Sequence, residues 1–186
     1  MSTSPRRTFL LSTLGLAAAA ASVVTPVAAQ AAPAPATTAV TTVGLTYTDH
    51  QDWATAVFAQ INTERAKNAL KPLRWTDQLS SSAHHRNLAM AKANTLSHQL
   101  PGEASLGSRV RVFYAWSACG ENIGWNSRRT QAGALALETS MYSETPPNDG
   151  HRRNILSTTF VDVGVDVIDD STHGRLWLTT DFGRPR

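Results

Sequence analysis

Histidine and glutamate side chains are the candidates for chemistry in this sequence. The chain contains six histidines and five glutamates, and imidazole and carboxylate are the groups that hold a divalent cation or transfer a proton. No local motif organises them, because the sequence has no H-E-x-x-H helix, Walker glycine loop, G-x-G-x-x-G turn or G-x-S-x-G elbow. The common metalloprotease, nucleotide-binding and serine-hydrolase classes are therefore disfavoured.

Three short stretches, far apart in the chain, carry polar residues of this kind. They read Leu-Ser-His at 96–98, Cys-Gly-Glu-Asn-Ile-Gly at 119–124 and Gly-His-Arg-Arg-Asn-Ile-Leu at 150–156, the last followed by Phe160 and by Val-Gly-Val at 163–165. In this order and spacing they resemble the CAP superfamily, also called the SCP domain, of cysteine-rich secretory proteins, venom antigens and plant pathogenesis-related proteins. The resemblance is strongest to the bacterial secreted branch and covers roughly residues 53 to 184.

The resemblance implies a cleft where two histidines and two glutamates meet. Carried over residue by residue, His98, Glu121 and His151 take three of these places. The second glutamate is assigned to Glu144, because Met-Tyr-Ser-Glu at 141–144 is similar to the W-Y-x-E segment of the family with methionine in place of tryptophan.

Four further residues are secondary candidates for this cleft. Glu138 competes with Glu144 as the second acid, and Glu103, five residues after His98, is a spatial alternative. Asn122 and Arg152 directly follow cleft residues, and an arginine there could close over an anionic ligand.

Metal binding is the chemistry that this residue set predicts. His98 and His151 form the metal-capable pair, since two neutral imidazoles can each bind Zn²⁺ at roughly 2.0–2.1 Å while carboxylates orient them. The expected cofactor is Zn²⁺ or another divalent cation, with Glu121 as the candidate catalytic acid or base. Spacing alone also fits side chains that only satisfy backbone groups. The other histidines are interpreted as surface or helix-face residues: His50, His84, His85 and His173.

The elements that must position these residues are helices first and strands last. A capping-box pattern at 48–51 and apolar spacing predict a helix to about Ala69, and a second helix from Thr76 or Asp77 to about Asn94. A short helical stretch at 108–113, a strand start at 118–125 that glycines interrupt, and a helix after Thr130 follow. Alternation at 161–168 and an apolar run at 176–182 predict an antiparallel hairpin. This order is typical of an α+β fold, and the resemblance implies an α-β-α sandwich with a central, mainly antiparallel sheet.

The first 45 residues differ in character from the rest. Arg-Arg-x-Phe-Leu at 6–10, an apolar run at 9–24 and small residues at 27–31 predict an export signal over 1–31 that is similar to the twin-arginine type, with ordinary secretion as the alternative. The run is shorter than the roughly 18 to 20 residues of a membrane span, so no span is expected after cleavage. Residues 32–45 are rich in Pro, Ala and Thr and predict a tether, followed by a CAP-like domain over 46–186.

Charge and cysteine content exclude further classes. Seventeen Lys and Arg against fourteen Asp and Glu, without a basic cluster, exclude a nucleic-acid-binding protein. The single Cys119 excludes an intrachain disulfide framework, so it is expected either buried as a small apolar residue or exposed for intermolecular bonding.

The predicted function is binding of an extracellular ligand in the cleft without turnover. The protein is expected to be secreted, either free or associated with the cell wall, and the resemblance implies a lipid, glycan or protein partner. One alternative is a Zn-dependent hydrolase, in which a cation on His98 and His151 polarises a carbonyl while Glu121 activates water. Another is a structural domain of the cell surface.

Overall fold

The predicted C-terminal hairpin forms the centre of the sheet. In the computed structural model, which describes residues 39–42 and 44–186, strands β5 (Asp162–Asp170) and β6 (Arg175–Pro185) pair antiparallel. Their turn contains Gly174, whose φ of 66° lies in the left-handed region that glycine adopts without strain. The predicted export signal at 1–31 lies outside the described residues.

Four further strands complete a six-stranded sheet. The strand order is β1-β2-β5-β6-β4, all antiparallel, and β3 pairs with β5 in parallel. These strands are β1 (Ala39–Thr42), β2 (Leu45–Asp49), β3 (Arg74–Trp75) and β4 (Trp116–Asn126). The helices are α1 (Gln51–Lys67), α2 (Asp77–Ala93), α3 (Leu106–Arg111), α4 (Gln131–Tyr142) and α5 (Gly150–Ile155).

Both faces of the sheet are covered by helices, as the alternation along β5 requires. Val163 and Val165 belong to a core cluster with residues of α1 and α4, whereas Ile168 belongs to a second cluster with Met90 and Ala91 of α2. Successive residues of a strand point to opposite faces, so one strand supplies both cores. The predicted α+β class and the α-β-α sandwich with a mainly antiparallel sheet are confirmed.

The sheet begins earlier in the chain than the sequence suggests. Strand β1 and the start of β2 lie inside the segment 32–45 that was expected to be a tether. The capping box predicted at 48–51 is also absent, because Thr48 belongs to β2 and pairs with Asp169, and helix α1 starts after His50 without a side-chain cap. Pairing with the distant strand β5 outweighs the local capping signal.

Strand β4 is continuous where the sequence suggested an interrupted strand. It has 11 residues and contains both Gly120 and Gly124. A Cβ atom at Gly120 would lie 2.9 Å from the Phe160 ring, and one at Gly124 would lie 2.9 Å from the Met141 side chain. The glycines therefore allow close packing against this strand instead of ending it.

Two connections without helix or strand carry cleft residues. The segment 94–105 joins α2 to α3 and contains His98, and the segment 143–149 joins α4 to α5 and contains Glu144. Among the helices of the described residues, none has the length and apolar character needed to cross a membrane.

Candidate functional site

Two histidine-glutamate pairs line one cleft of about 550 Å³. His98 comes from the connection between α2 and α3, Glu121 from β4, Glu144 from the connection after α4, and His151 from the start of α5. The remaining lining residues are Asn148, Gly150, Arg153 and Asn154. The structure thus brings the four residues carried over from the resemblance to one cavity.

In the first pair, a buried carboxylate holds a half-exposed imidazole. Glu121 Oε1 lies 2.8 Å from His98 Nδ1, and Glu121 is only 4% exposed whereas the His98 side chain is 53% exposed. Arg109 Nη2 donates to the His98 carbonyl at 2.6 Å and lies 3.5 Å from Glu121 Oε2. The pair therefore presents the imidazole to the cleft and keeps the carboxylate behind it.

In the second pair, the acid also contacts the backbone of the helix. Glu144 Oε1 lies 2.5 Å from His151 Nδ1, and Oε2 accepts from the backbone N–H of His151 at 2.9 Å and of Arg152 at 3.4 Å. Burial raises the pKa of Glu144, but these hydrogen bonds and the electrostatic interaction with His151 outweigh it, so its pKa lies below the usual value. Glu144 is therefore an ionised acceptor.

An asparagine network connects the two pairs. Asn122 donates to the His151 carbonyl at 3.1 Å, and Asn154 donates to the Asn122 side-chain oxygen at 2.8 Å and to the Glu121 carbonyl at 3.3 Å. Since Asn122 is fully buried beside Glu121 on β4, this network attaches α5, which carries His151, to the strand that carries Glu121. Asn122 therefore helps to position His151 without lining the cleft itself.

The competing acids lie elsewhere. Glu138 is fully buried between α1 and α4, where burial and the neighbouring Glu64 raise its pKa well above the usual value. Glu103 bonds to Arg86 and to the backbone N–H of Leu100. Neither residue lines the cleft.

Arg152 and Cys119 also lie outside the cleft lining. The Arg152 guanidinium donates to the Tyr142 carbonyl and stacks 4.5 Å from the Tyr142 ring centre, while the neighbouring Arg153 lines the cleft. Cys119 is half-buried, and burial together with the charges of Asp181 and Glu121 raises the pKa of its thiol. A thiol with a raised pKa is a weak nucleophile at neutral pH.

Two ionisable residues that neighbour Glu121, Arg109 and Asp181, were not among the candidates from the sequence. Asp181 is fully buried on β6 directly opposite Glu121. Burial is the main cause that raises the pKa of Asp181 to about 8, and the negative charge of Glu121 is the second. An acid inside the apolar run at 176–182 was a signal in the sequence, but its partner depends on the pairing of β6 with β4.

A metal-capable group occurs at another place in the fold. Among the described residues, Asp49, His84 and Asp166 are the group of three whose ligand atoms all lie within 4.8 Å of one another. Burial lowers the pKa of His84, but the hydrogen bond and charge of Asp166 and the charge of Asp49 raise it overall. His84, interpreted from the sequence as a surface or helix-face histidine, was not grouped with these acids, because they come from β2 and β5.

The predicted pair of His98 and His151 does not belong to such a group. The Nδ1 atom of each ring faces a glutamate instead, Glu121 for one and Glu144 for the other. Metal binding by this pair stays a prediction.

The fold and this cleft define a class of protein. A central antiparallel sheet between helical layers, with two histidine-glutamate pairs in one cavity, describes an SCP-type domain. The model of the "CAP: Cysteine-rich secretory protein family" matches residues 58–182. The chain therefore belongs to this family.

Similar proteins come from several bacteria. Protein YkwD of Bacillus subtilis (strain 168) is 30% identical over 124 residues, which are 66% of this chain and 44% of that protein, so the chain spans less than half the length of this relative. An outer surface protein of Borrelia burgdorferi has a TM-score of 0.64 at 14% identity, over 81% of this chain and 100% of that one. An extracellular SCP-domain protein of Bacillus anthracis has a TM-score of 0.61 at 19% identity, over 80% and 59%. These neighbours show the fold.

Proposed function

We propose that this chain is an exported CAP domain whose cleft binds a polar extracellular ligand, such as a glycan, without turnover. The observation that carries the proposal is the presentation of two imidazoles to one cavity of about 550 Å³, each fixed at Nδ1 by a glutamate. Within the part of the chain that the structure describes, no hydrogen bond joins the Nε2 atom of either ring. Both Nε2 atoms are therefore available to a ligand.

The lining favours a hydroxylated ligand over a lipid. His98, His151, Asn148 and Asn154 supply both donors and acceptors, and no large apolar side chain lines the cavity. A sugar hydroxyl can donate and accept at once, so it matches such a surface. Of the lipid, glycan and protein partners that the family resemblance implies, a glycan fits this chemistry best.

The hydrogen bonds of the glutamates argue for binding over hydrolysis. Glu121 contacts His98 through one oxygen and Arg109 through the other, and both oxygens of Glu144 accept from His151. A general base must come within hydrogen-bond reach of the proton that it abstracts, and the Glu121 side chain is fully buried. Carboxylates used in this way orient the imidazoles instead of activating water.

Export is the second part of the proposal. Membership of a secretory protein family and the extracellular neighbour of Bacillus anthracis support it. Attachment to the cell wall agrees with a glycan ligand, because wall polymers contain glycan chains. Cell fractionation with an antibody against the domain tests this part independently of binding.

A binding panel tests the cleft directly. The purified protein is incubated with wall polymers, soluble glycans, peptides and lipid vesicles, with and without Zn²⁺ and a chelator, and both bound ligand and released product are measured. We expect a glycan to bind without product, and the double variant His98→Ala, His151→Ala to lower the affinity at least about tenfold, since two polar contacts are lost. His85→Ala, which lies outside the cleft, is the matched control.

Two results would contradict the proposal. Product release that is blocked by the chelator and lost in Glu121→Gln would identify a hydrolase. Equal affinity of wild type and double variant would show that the ligand does not bind in this cleft.

A further inference from the structure

We propose that Asp49, His84 and Asp166 form a binding site for a first-row divalent transition-metal ion such as Zn²⁺ or Mn²⁺. The three residues come from the end of β2, the middle of α2 and the middle of β5. This site is separate from the His-Glu cleft, because the cavities beside the two sites share no lining residue.

The distances in this group match those between ligands of one metal ion. His84 Nδ1 lies 3.2 Å from Asp166 Oδ1 and 3.5 Å from Asp49 Oδ1. Two ligand atoms that each lie about 2.1 Å from a tetrahedral ion are about 3.4 Å apart. All three atoms lie within 4.8 Å of one another, so small side-chain rotations would complete the arrangement.

The hydrogen bonding of the group leaves one oxygen unsatisfied. His84 Nδ1 bonds to Asp166 Oδ1, and a single Nδ1 proton cannot serve a second carboxylate equally well. Asp49 Oδ1 is buried and has no hydrogen-bond partner within the described residues. A divalent ion between the three atoms would contact both carboxylates, which the imidazole alone does not achieve.

The surroundings provide an oriented ligand and room for water. Asn87 donates to Asp166 Oδ2 at 2.7 Å, which directs the other oxygen of this carboxylate toward His84. A cavity of about 580 Å³ adjoins the group, lined also by Ser80, Asp77 and His85. Water molecules in this cavity can complete the coordination of the ion.

The donor set decides the class of metal. One imidazole nitrogen and two carboxylate oxygens suit Zn²⁺, Mn²⁺ or Co²⁺. Ca²⁺ and Mg²⁺ prefer oxygen ligands alone, so a site that depends on His84 should bind them less tightly.

Metal titration of matched variants tests the site. Full-length, metal-free protein is titrated with Zn²⁺, Mn²⁺, Co²⁺ and Ca²⁺ by calorimetry, and bound Co²⁺ is also followed by its visible absorption. The test variants are His84→Ala and Asp49→Asn, and circular dichroism verifies that each is folded. The controls are Lys92→Ala, on the same helix but outside the group and its cavity, and the cleft variant His98→Ala, His151→Ala.

We expect wild type and both controls to bind one transition-metal ion at this site with equal affinity. His84→Ala and Asp49→Asn should each lower that affinity at least about tenfold, since loss of an orienting contact alone often costs as much. A second ion that is lost only in the cleft variant would leave this proposal supported. Absence of binding in wild type, unchanged affinity in folded His84→Ala, or Ca²⁺ binding as tight as that of Zn²⁺ would overturn it, while the glycan-binding proposal would stand.

Discussion

Asp181 is a fully buried acid on β6, next to the cleft residue Glu121. It faces Glu121 across the pairing of β4 and β6. Since an ionised carboxylate is costly to bury, the neutral form is favoured. Ionisation of Asp181, beside the cleft residue Glu121, therefore destabilises the folded state.

Replacing Asp181 by Asn should flatten the dependence of stability on pH. The pKa of Asp181 rises from its usual 3.8 to about 8 in the fold. Below 3.8 the carboxyl is neutral in both states. Between these values only the unfolded state ionises, so the free energy of unfolding falls by about 1 kcal/mol per pH unit. Urea unfolding at a series of pH values measures this loss.

Asn does not ionise, so Asp181→Asn lacks this loss of unfolding free energy with rising pH. The stability of the variant should match that of wild type near pH 4 and exceed it near pH 8. Profiles that run parallel between these two pH values would mean that the fold does not hold the wild-type carboxyl neutral.

At the scale of elements, the connection between α2 and α3 determines where His98 lies. This connection has no helix or strand, and two arginines hold it instead. Fully buried Arg86 on α2 bonds to Glu103 at 2.7 Å, and Arg109 on α3 donates to the His98 carbonyl. Because Glu103 also accepts from Leu100 N–H at 2.7 Å, one carboxylate orders much of the loop.

Glu103→Gln should loosen this connection. The substitution removes the charge that pairs with buried Arg86, and loss of one partner of a buried ion pair is destabilising. We expect faster amide hydrogen exchange over residues 95–105 than in wild type, measured by mass spectrometry.

Ser97→Ala serves as the control on the same connection, since among the residues that the structure describes the Ser97 hydroxyl bonds only to the Gln99 backbone. Exchange rates over 95–105 that are equal in wild type and Glu103→Gln would contradict this account.

At the scale of the whole molecule, the spacing between the layers depends on a glycine. A Cβ atom at Gly164 of β5 would lie 2.0 Å from the Ser80 backbone nitrogen and 2.2 Å from the Leu79 carbonyl carbon. Helix α2 therefore packs directly on the backbone of the sheet. This close approach also places His84 on α2 near Asp166 on β5.

Gly164→Ala should destabilise the protein because α2 must move away from the sheet. We expect the free energy of unfolding to fall by about 1–3 kcal/mol, as for overpacked cores, in urea denaturation. Gly150→Ala is the control, since beyond its chain neighbours and its own helix backbone no atom of the described residues lies within 4 Å of a Cβ atom built there. Equal urea midpoints for Gly164→Ala and wild type would show that α2 can move away from the sheet without loss of unfolding free energy.

The sequence by itself determined most of the local elements and pointed to three of the four cleft residues. Helical spacing predicted α2, and period-two alternation predicted the β5-β6 hairpin. Both follow from residues close in the chain, where periodicity directly reflects which face is buried. The three stretches that resemble the CAP family named His98, Glu121 and His151 without any geometry.

Only the tertiary structure decided which side chains meet. His98 contacts Glu121, which lies 23 positions further along the chain. Asp49 and Asp166 meet at His84 because β2 pairs with β5. The structure likewise placed Glu144 in the cleft and Glu138 in the core between α1 and α4. These outcomes depend on strand register and on the packing of layers, which bring together distant residues whose neighbours in the chain carry no sign of the contact.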